Sequence, residues 1–140
     1  MPVTATGETA VRPVIKYAEF QAAAVGGGET TPLFQLKAGA RVIAAWARVI
    51  TAWAGGSTPI ATLGDGTGVT GLITDADMDE RTAGLYNGTG AFLANAGGRF
   101  YLVDDAVDVV YTPGGTPGAT NGKIRFGILV LQSEPDVSLP

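Results

Sequence analysis

Residues 40–46 read ARVIAAW and residues 47–53 read ARVITAW, two copies that differ only where Thr51 replaces Ala44. A seven-residue repeat is two turns of a helix. Seven is also odd, so in a strand the two copies face opposite ways. As a helix, Val42, Trp46, Val49, Ile50 and Trp53 share one face and Arg41, Ala45, Arg48 and Ala52 the other, an amphipathic pattern that the alanines favour further. As a strand, one face carries Val42, Ala44, Trp46, Arg48, Ile50 and Ala52, and the other Ile43, Ala45, Ala47, Val49, Thr51 and Trp53. Both faces are largely apolar, as in a central strand covered on both sides. The β-branched residues and the two tryptophans favour this reading, and no Ser, Thr, Asp or Asn near 37–39 caps a helix. The pattern alone leaves both readings open.

The flanking chain tips the balance to strand. It holds 21 glycines in 140 residues and only 16% charged residues, a composition of short strands and tight turns. Residues 11–24 suggest a first strand with an irregular neighbour. GGGETTP at 26–32 reads as a loop, LFQL at 33–36 as a short strand, and KAG at 37–39 as a turn. IATL at 60–63 is a strand closed by GDGTG at 64–68. Residues 74–83 are the best short helix, with Thr74 or Asp75 as cap and acids in the first turn. YNGTG at 86–90 is a turn. FYLV at 100–103 and VDVVYT at 107–112 read as strands, and PGGTPGATNG at 113–122 as a loop. KIRFGILVLQ at 123–132 is the clearest strand, with Ile124, Phe126, Ile128 and Val130 on one side. Seven or eight such strands predict an all-β fold, a jelly-roll β-sandwich with at most one short helix. The sandwich domain spans 11–132, between a flexible N-terminal arm at 1–10 and an extended C-terminal tail at 133–140.

Composition narrows the chemistry. There is no cysteine and no histidine, which removes disulfides, thiolate metal sites and the commonest general base. Net charge is −4 with nine scattered basic residues, so no basic footprint for nucleic acid exists. The start of the chain has no basic and apolar signal pattern, and no run reaches the ~18 apolar residues of a membrane helix. A soluble protein made in a cytoplasm is expected.

The polar motifs read as structure. DADMDE at 75–80 begins like a calcium loop, but Glu80 stands where that loop needs glycine and Tyr86 where it needs glutamate. GDGTG at 64–68 lacks the Lys-Ser/Thr of a phosphate-binding loop. Asp104, Asp105 and Asp108 are carboxylates at strand ends, and no histidine is present to activate Ser57, Ser133 or Ser138. The expectation is a scaffold or binding module: no enzyme, no metal and no cofactor. Arg48, inside an apolar face, is read either as a buried ion-pair partner or as an interface anchor, against a sheet-edge arginine whose stem packs while its head reaches water.

An AGA turn at 38–40 leads into the long apolar segment. LGDG stands at 63–66, an acidic turn ends in AGLYNG at 83–88, and GKIRFGILV at 122–130 forms the last strand. In this order, over about 34–132, the chain resembles the cement, or decoration, proteins of tailed-bacteriophage capsids. The resemblance implies a jelly roll on the outer face of the shell that bridges capsomers of the major capsid protein, and it implies that 40–54 is a strand. It supplies no catalytic residue. A phage tail or fibre part is the alternative, as is a carbohydrate-binding jelly roll using Tyr86, Tyr101 and Tyr111.

For the cement reading, the expected contacts to the capsid or to other subunits are Val3, Val11 and Arg12 near the start, Val137 and Leu139 near the end, and Arg48 and Trp53 in the repeat. Opposite faces are expected for Trp46 and Trp53, one in the core and the other at an interface, under a loop or at the strand end. A homo-oligomer is expected, a dimer before a trimer.

Overall fold

The repeat is a strand. The computed structural model describes residues 11–21, 29–54, 59–94, 97–112 and 122–133. They form β1 (Val11–Gln21), β2 (Glu29–Leu36), β3 (Arg41–Thr51), β4 (Ile60–Gly64), β5 (Gly84–Asn87), β6 (Arg99–Phe100), β7 (Asp105–Thr112) and β8 (Lys123–Ser133). A single helical turn, α1 (Ala91–Ala94), and a 3-10 turn at Asp75–Asp77 complete the elements.

Strands alternate between the two sheets except at β5 and β6, which both join the larger one. The larger sheet runs β1-β8-β3-β5, with β6 also on β3, and the smaller runs β2-β7-β4. The first strand pairs with the last, the second with the seventh and the third with the sixth. The fourth meets the single bridge residue Ile73. This nested antiparallel pairing is the jelly roll.

The period-two pattern fills the space between the sheets. Ile124, Phe126, Ile128 and Val130 of β8 face Val107, Val109 and Tyr111 of β7, and all seven are fully buried. Phe20, Trp53 and Tyr111 form an aromatic cluster, with Trp53 and Tyr111 edge to face at 5.0 Å. At one end Asp65 is completely buried. Its carboxylate accepts the Thr67 and Gly68 amides and pairs with Arg99 at 3.2 Å. The Arg99 guanidinium lies 4.2 Å from the Phe92 ring centre, with the Tyr101 ring also near, so α1, β6 and the 64–71 loop are tied together.

β3 departs from strict alternation. Its register on β8 shifts between Val42 and Ala44 and again between Val49 and Thr51. The first bulge places Val42 on the core side with Ala45, Ala47 and Val49, all buried, and not with Ala44 and Trp46. The strand is central in its sheet but is not covered on both sides. Among the described residues the core lies on one face only, and Arg48 and Ile50 on the other are exposed.

Four boundaries differ from expectation. β2 begins at Glu29, so 29–32 is strand: it pairs with β7, and Pro32 is tolerated because β2 is a sheet edge with a register shift beside it. The 100–103 strand reduces to Arg99–Phe100. Tyr101 exchanges backbone hydrogen bonds with Gly39 and Ala40 and is buried, and the Asp104 carboxylate accepts the Ala38 amide and pairs with Lys37. These ties turn the chain and leave Leu102 and Val103 outside. The 74–83 helix is only the 3-10 turn. The Asp77 carboxylate is taken by the Thr74 amide and by the amide and hydroxyl of Thr89, and the backbone at Met78 is extended. Tyr86 and Asn87 close β5 and are not turn residues, since they pair with Ala47 and Trp46.

Candidate functional site

The outward face of the larger sheet carries the residues that the core does not use. Antiparallel partners share a face, so the register lays out its rows. Ile15, Leu129 and Ala44 form one row. Tyr17, Gly127, Trp46 and Asn87 form the next, and Glu19, Arg125, Arg48 and Leu85 the third. Ile15 is 54% exposed, Tyr17 59% and Leu85 67%. Tyr17 and Trp46 meet edge to face at 6.0 Å across β8. They can do so because the residue between them is Gly127: a β-carbon there would stand 2.4 Å from the indole.

Tyr17, Trp46, Arg48, Leu85 and Arg125 line a shallow groove of about 370 Å³. A second depression, lined by Ile50, Ala83 and Gly84, continues from Arg48 and Leu85. Glu19 pairs with Arg125 at 2.8 Å and Lys123 at 3.5 Å. Those two cations, the Arg125 hydrogen bond first, hold its carboxyl below the usual carboxylate range. An aromatic, apolar and cationic surface of this kind suits contact with another protein.

The expected contact residues are scattered. Val3, Val137 and Leu139 lie outside the described residues. Val11 opens β1 opposite Ser133, and Arg12 is exposed beside it, opposite Gln132. Arg48 is exposed on the outward face of an interior strand, so it is neither a buried ion-pair partner nor a sheet-edge residue. Trp53 is 3% exposed and belongs to the core: β3 ends at Thr51, and the Trp53 amide is held by the Glu80 carbonyl. The two tryptophans do take opposite sides, and the outward one is Trp46, in mid-strand. Sequence reading missed Tyr17, Leu85 and Arg125 as its neighbours. The signal was available in part, since Arg125 occupies the side of β8 opposite Ile124, Phe126, Ile128 and Val130.

The other candidates are built into the fold. Tyr101 and Tyr111 are buried and Tyr86 hydrogen-bonds the Thr82 carbonyl, so the three tyrosines do not line a sugar groove. Burial, then the Asp65 charge, pushes the Tyr101 hydroxyl far up. Asp105 accepts its neighbour's amide, while burial and the charges of Asp105 and Asp65 raise Asp108. Among the described residues no cluster of three or more carboxylates is placed to hold a metal ion, and no helix is long and apolar enough to cross a membrane.

No protein-family model matches the chain, and no curated protein matches it. Two solved structures share its fold. A chain of the cyanophage Pam1 capsid asymmetric unit superposes with a TM-score of 0.63 at 14% identity, over 94% of this chain and 99% of that one. A chain of the acidic stable capsid structure of Helicobacter pylori bacteriophage KHP30 gives 0.59 at 16% identity, over 89% and 90%. Each match takes in nearly the whole of both chains, so the jelly roll described here is the fold of two similarly sized chains from phage capsids.

Proposed function

We propose that this protein is a structural component of a tailed-phage virion, bound to the outer surface of the capsid, where it cements neighbouring capsomers of the major capsid protein. The observation that carries the reading is the end-to-end likeness to chains from two phage capsids. An open aromatic and cationic sheet face supports it, since a cement needs surface to spare for contact. A protein that binds only the mature shell stabilises that state by its binding free energy.

The chain works as a homo-oligomer, a dimer before a trimer, in register with the symmetry of the shell. In this reading the segments at 1–10 and 134–140 extend its reach by up to ~3.3 Å per residue. One or both ends of the chain, with Val3, Val11 and Arg12 or Val137 and Leu139 as anchors, lie along a neighbouring subunit. Deleting 2–10 and 134–140 separately, and measuring binding to shells that lack the protein, tests the arms. If both truncations bind and protect like the full chain, the arms do no cementing.

The decisive experiment is quantification in purified virions. A copy number near that of the major capsid protein is expected. A few copies per particle would point instead to a tail or fibre part, and absence from virions would end the structural reading.

A further inference from the structure

The sandwich has one surface whose charge departs from that of the rest of the molecule. The outward-facing positions of the larger sheet carry four cations, Arg41, Arg48, Lys123 and Arg125, against a single carboxylate, Glu19. The remaining chain holds five cations and twelve acids. Lys123 and Arg125 are engaged by Glu19, and Arg41 sits 5.5 Å from the Phe100 ring centre. Among the described residues Arg48 has no carboxylate partner, and it stands beside the groove of Tyr17, Trp46 and Leu85. The indole is already set in place over Gly127, so little side-chain freedom is lost when a partner covers it.

Resting on the proposed function, we infer that this face is the surface by which the sandwich grips the shell, and that its partner is an acidic, apolar patch of a capsid subunit: a carboxylate on Arg48, flanked by a side chain that fills the groove between Tyr17, Trp46 and Leu85. The charge argues against a second copy as occupant. Two copies joined face to face about a two-fold axis bring four cations against four. A copy docking by its acidic remainder makes a head-to-tail contact that does not close into a dimer. A desolvated tryptophan, tyrosine and arginine at the centre of one patch is the composition that concentrates binding energy. The exposed tip at Leu102 and Val103 carries no such charge.

The test uses the full-length protein and purified shells that lack it. R48E, W46A and Y17A are compared with wild type and with the tip variant L102S/V103S by co-sedimentation at several salt concentrations. Circular dichroism and melting temperature establish that each variant is folded. The expected result is a loss of at least tenfold in affinity for R48E and W46A, a smaller loss for Y17A, wild-type binding by the tip variant, and weakening of wild-type binding by salt. If wild type binds and folded R48E and W46A bind equally, the docking face is wrong while the cementing function stands. Loss of binding in the tip variant alone moves the contact to the tip. If these substitutions dissolve a wild-type oligomer and leave shell binding intact, the face joins copies of this chain and the inference falls. Failure of wild type itself to bind shells removes the proposed function and this partner with it.

Discussion

Trp46 lies across Gly127, its indole so close that a β-carbon on the glycine would come within 2.4 Å of Nε1. The glycine is in the interior of β8, where it weakens a strand and supplies no side chain to pack. Its presence there is explained by the ring it admits, which reaches over the β8 backbone to meet Tyr17.

Gly127→Ala is therefore expected to push the indole off the sheet. Overpacking at a fitted site costs about 1–3 kcal/mol. In a W53F background, where Trp46 is the only tryptophan, its emission should shift and its quenching by acrylamide should rise. Unchanged emission and an unchanged urea midpoint would show that the ring does not depend on the glycine.

The two tryptophans should report two environments. Trp53 is buried against Tyr111 and Phe20 while Trp46 is half-buried on the outward face. W46F should leave a blue-shifted emission protected from acrylamide, and W53F an accessible one. Truncating Trp53 to alanine should cost about 3–5 kcal/mol, against a much smaller stability loss for W46A. Equal quenching of the two would contradict the placement.

Asp65 should matter more than a surface acid. It is fully buried, accepts two loop amides and pairs with Arg99. Asp65→Ala strands those donors and a half-buried guanidinium, and should lower stability by about 3 kcal/mol. The exposed Asp104→Ala, which loses the Lys37 pair and the Ala38 amide where water can replace both, should cost far less. Similar denaturation midpoints for the two variants would sink this ranking.

Glu80 sets a pH dependence of definite sign. Burial raises its pKa above the ordinary 4.5, although it accepts the Ala61 amide. Below about pH 4.5 the carboxyl is protonated folded or unfolded. As pH rises from there through the folded value, the unfolded chain ionises first, and stability falls. Glu19, Asp77, Asp79 and Asp104 are lowered by their partners and act the other way, losing stability as pH falls through their folded values. Glu80→Gln keeps an acceptor for Ala61 and removes the first effect. Its stability relative to wild type should grow from pH 4.5 to neutral, as read by urea midpoints. A constant difference across that range would rule out an ionising Glu80.

Much of the fold was legible because both faces of the sandwich strands obey burial. The Ile124, Phe126, Ile128 and Val130 series predicted β8, and the valines with Tyr111 predicted β7. The repeat was harder. Its helical and extended faces are both apolar, and only the partner strands β8 and β5 decide between them. The bulges of β3 were invisible, since a register shift is a property of two strands and the pattern of one does not encode it. The same holds for Trp53, which enters the core after the strand ends, through an amide held by Glu80. The acids at 75–80 resembled a helix start, yet Asp77 is claimed by Thr89 from a loop twelve residues on. The outward patch was legible only residue by residue, because the cross-strand register alone assembles Tyr17, Trp46, Arg48 and Leu85 into one surface.

The pairing of Val11 with Ser133 has a mechanical consequence. Both ends of the sandwich leave from the same end of one antiparallel pair, so tension applied between them peels β1 from β8. The hydrogen bonds then carry the load one after another, as in a zip fastener, and none shares it with the next. Tension applied along the strands, from Val11 of β1 to Lys123 at the opposite end of β8, would instead shear the ladder and load its bonds together. A force-clamp pull between the two termini should therefore rupture the domain at lower force than a pull from Val11 to Lys123. A jelly roll strung by its two ends would make a poor tether, and one clamped by a broad face, with a single end as a guy-line, a strong one.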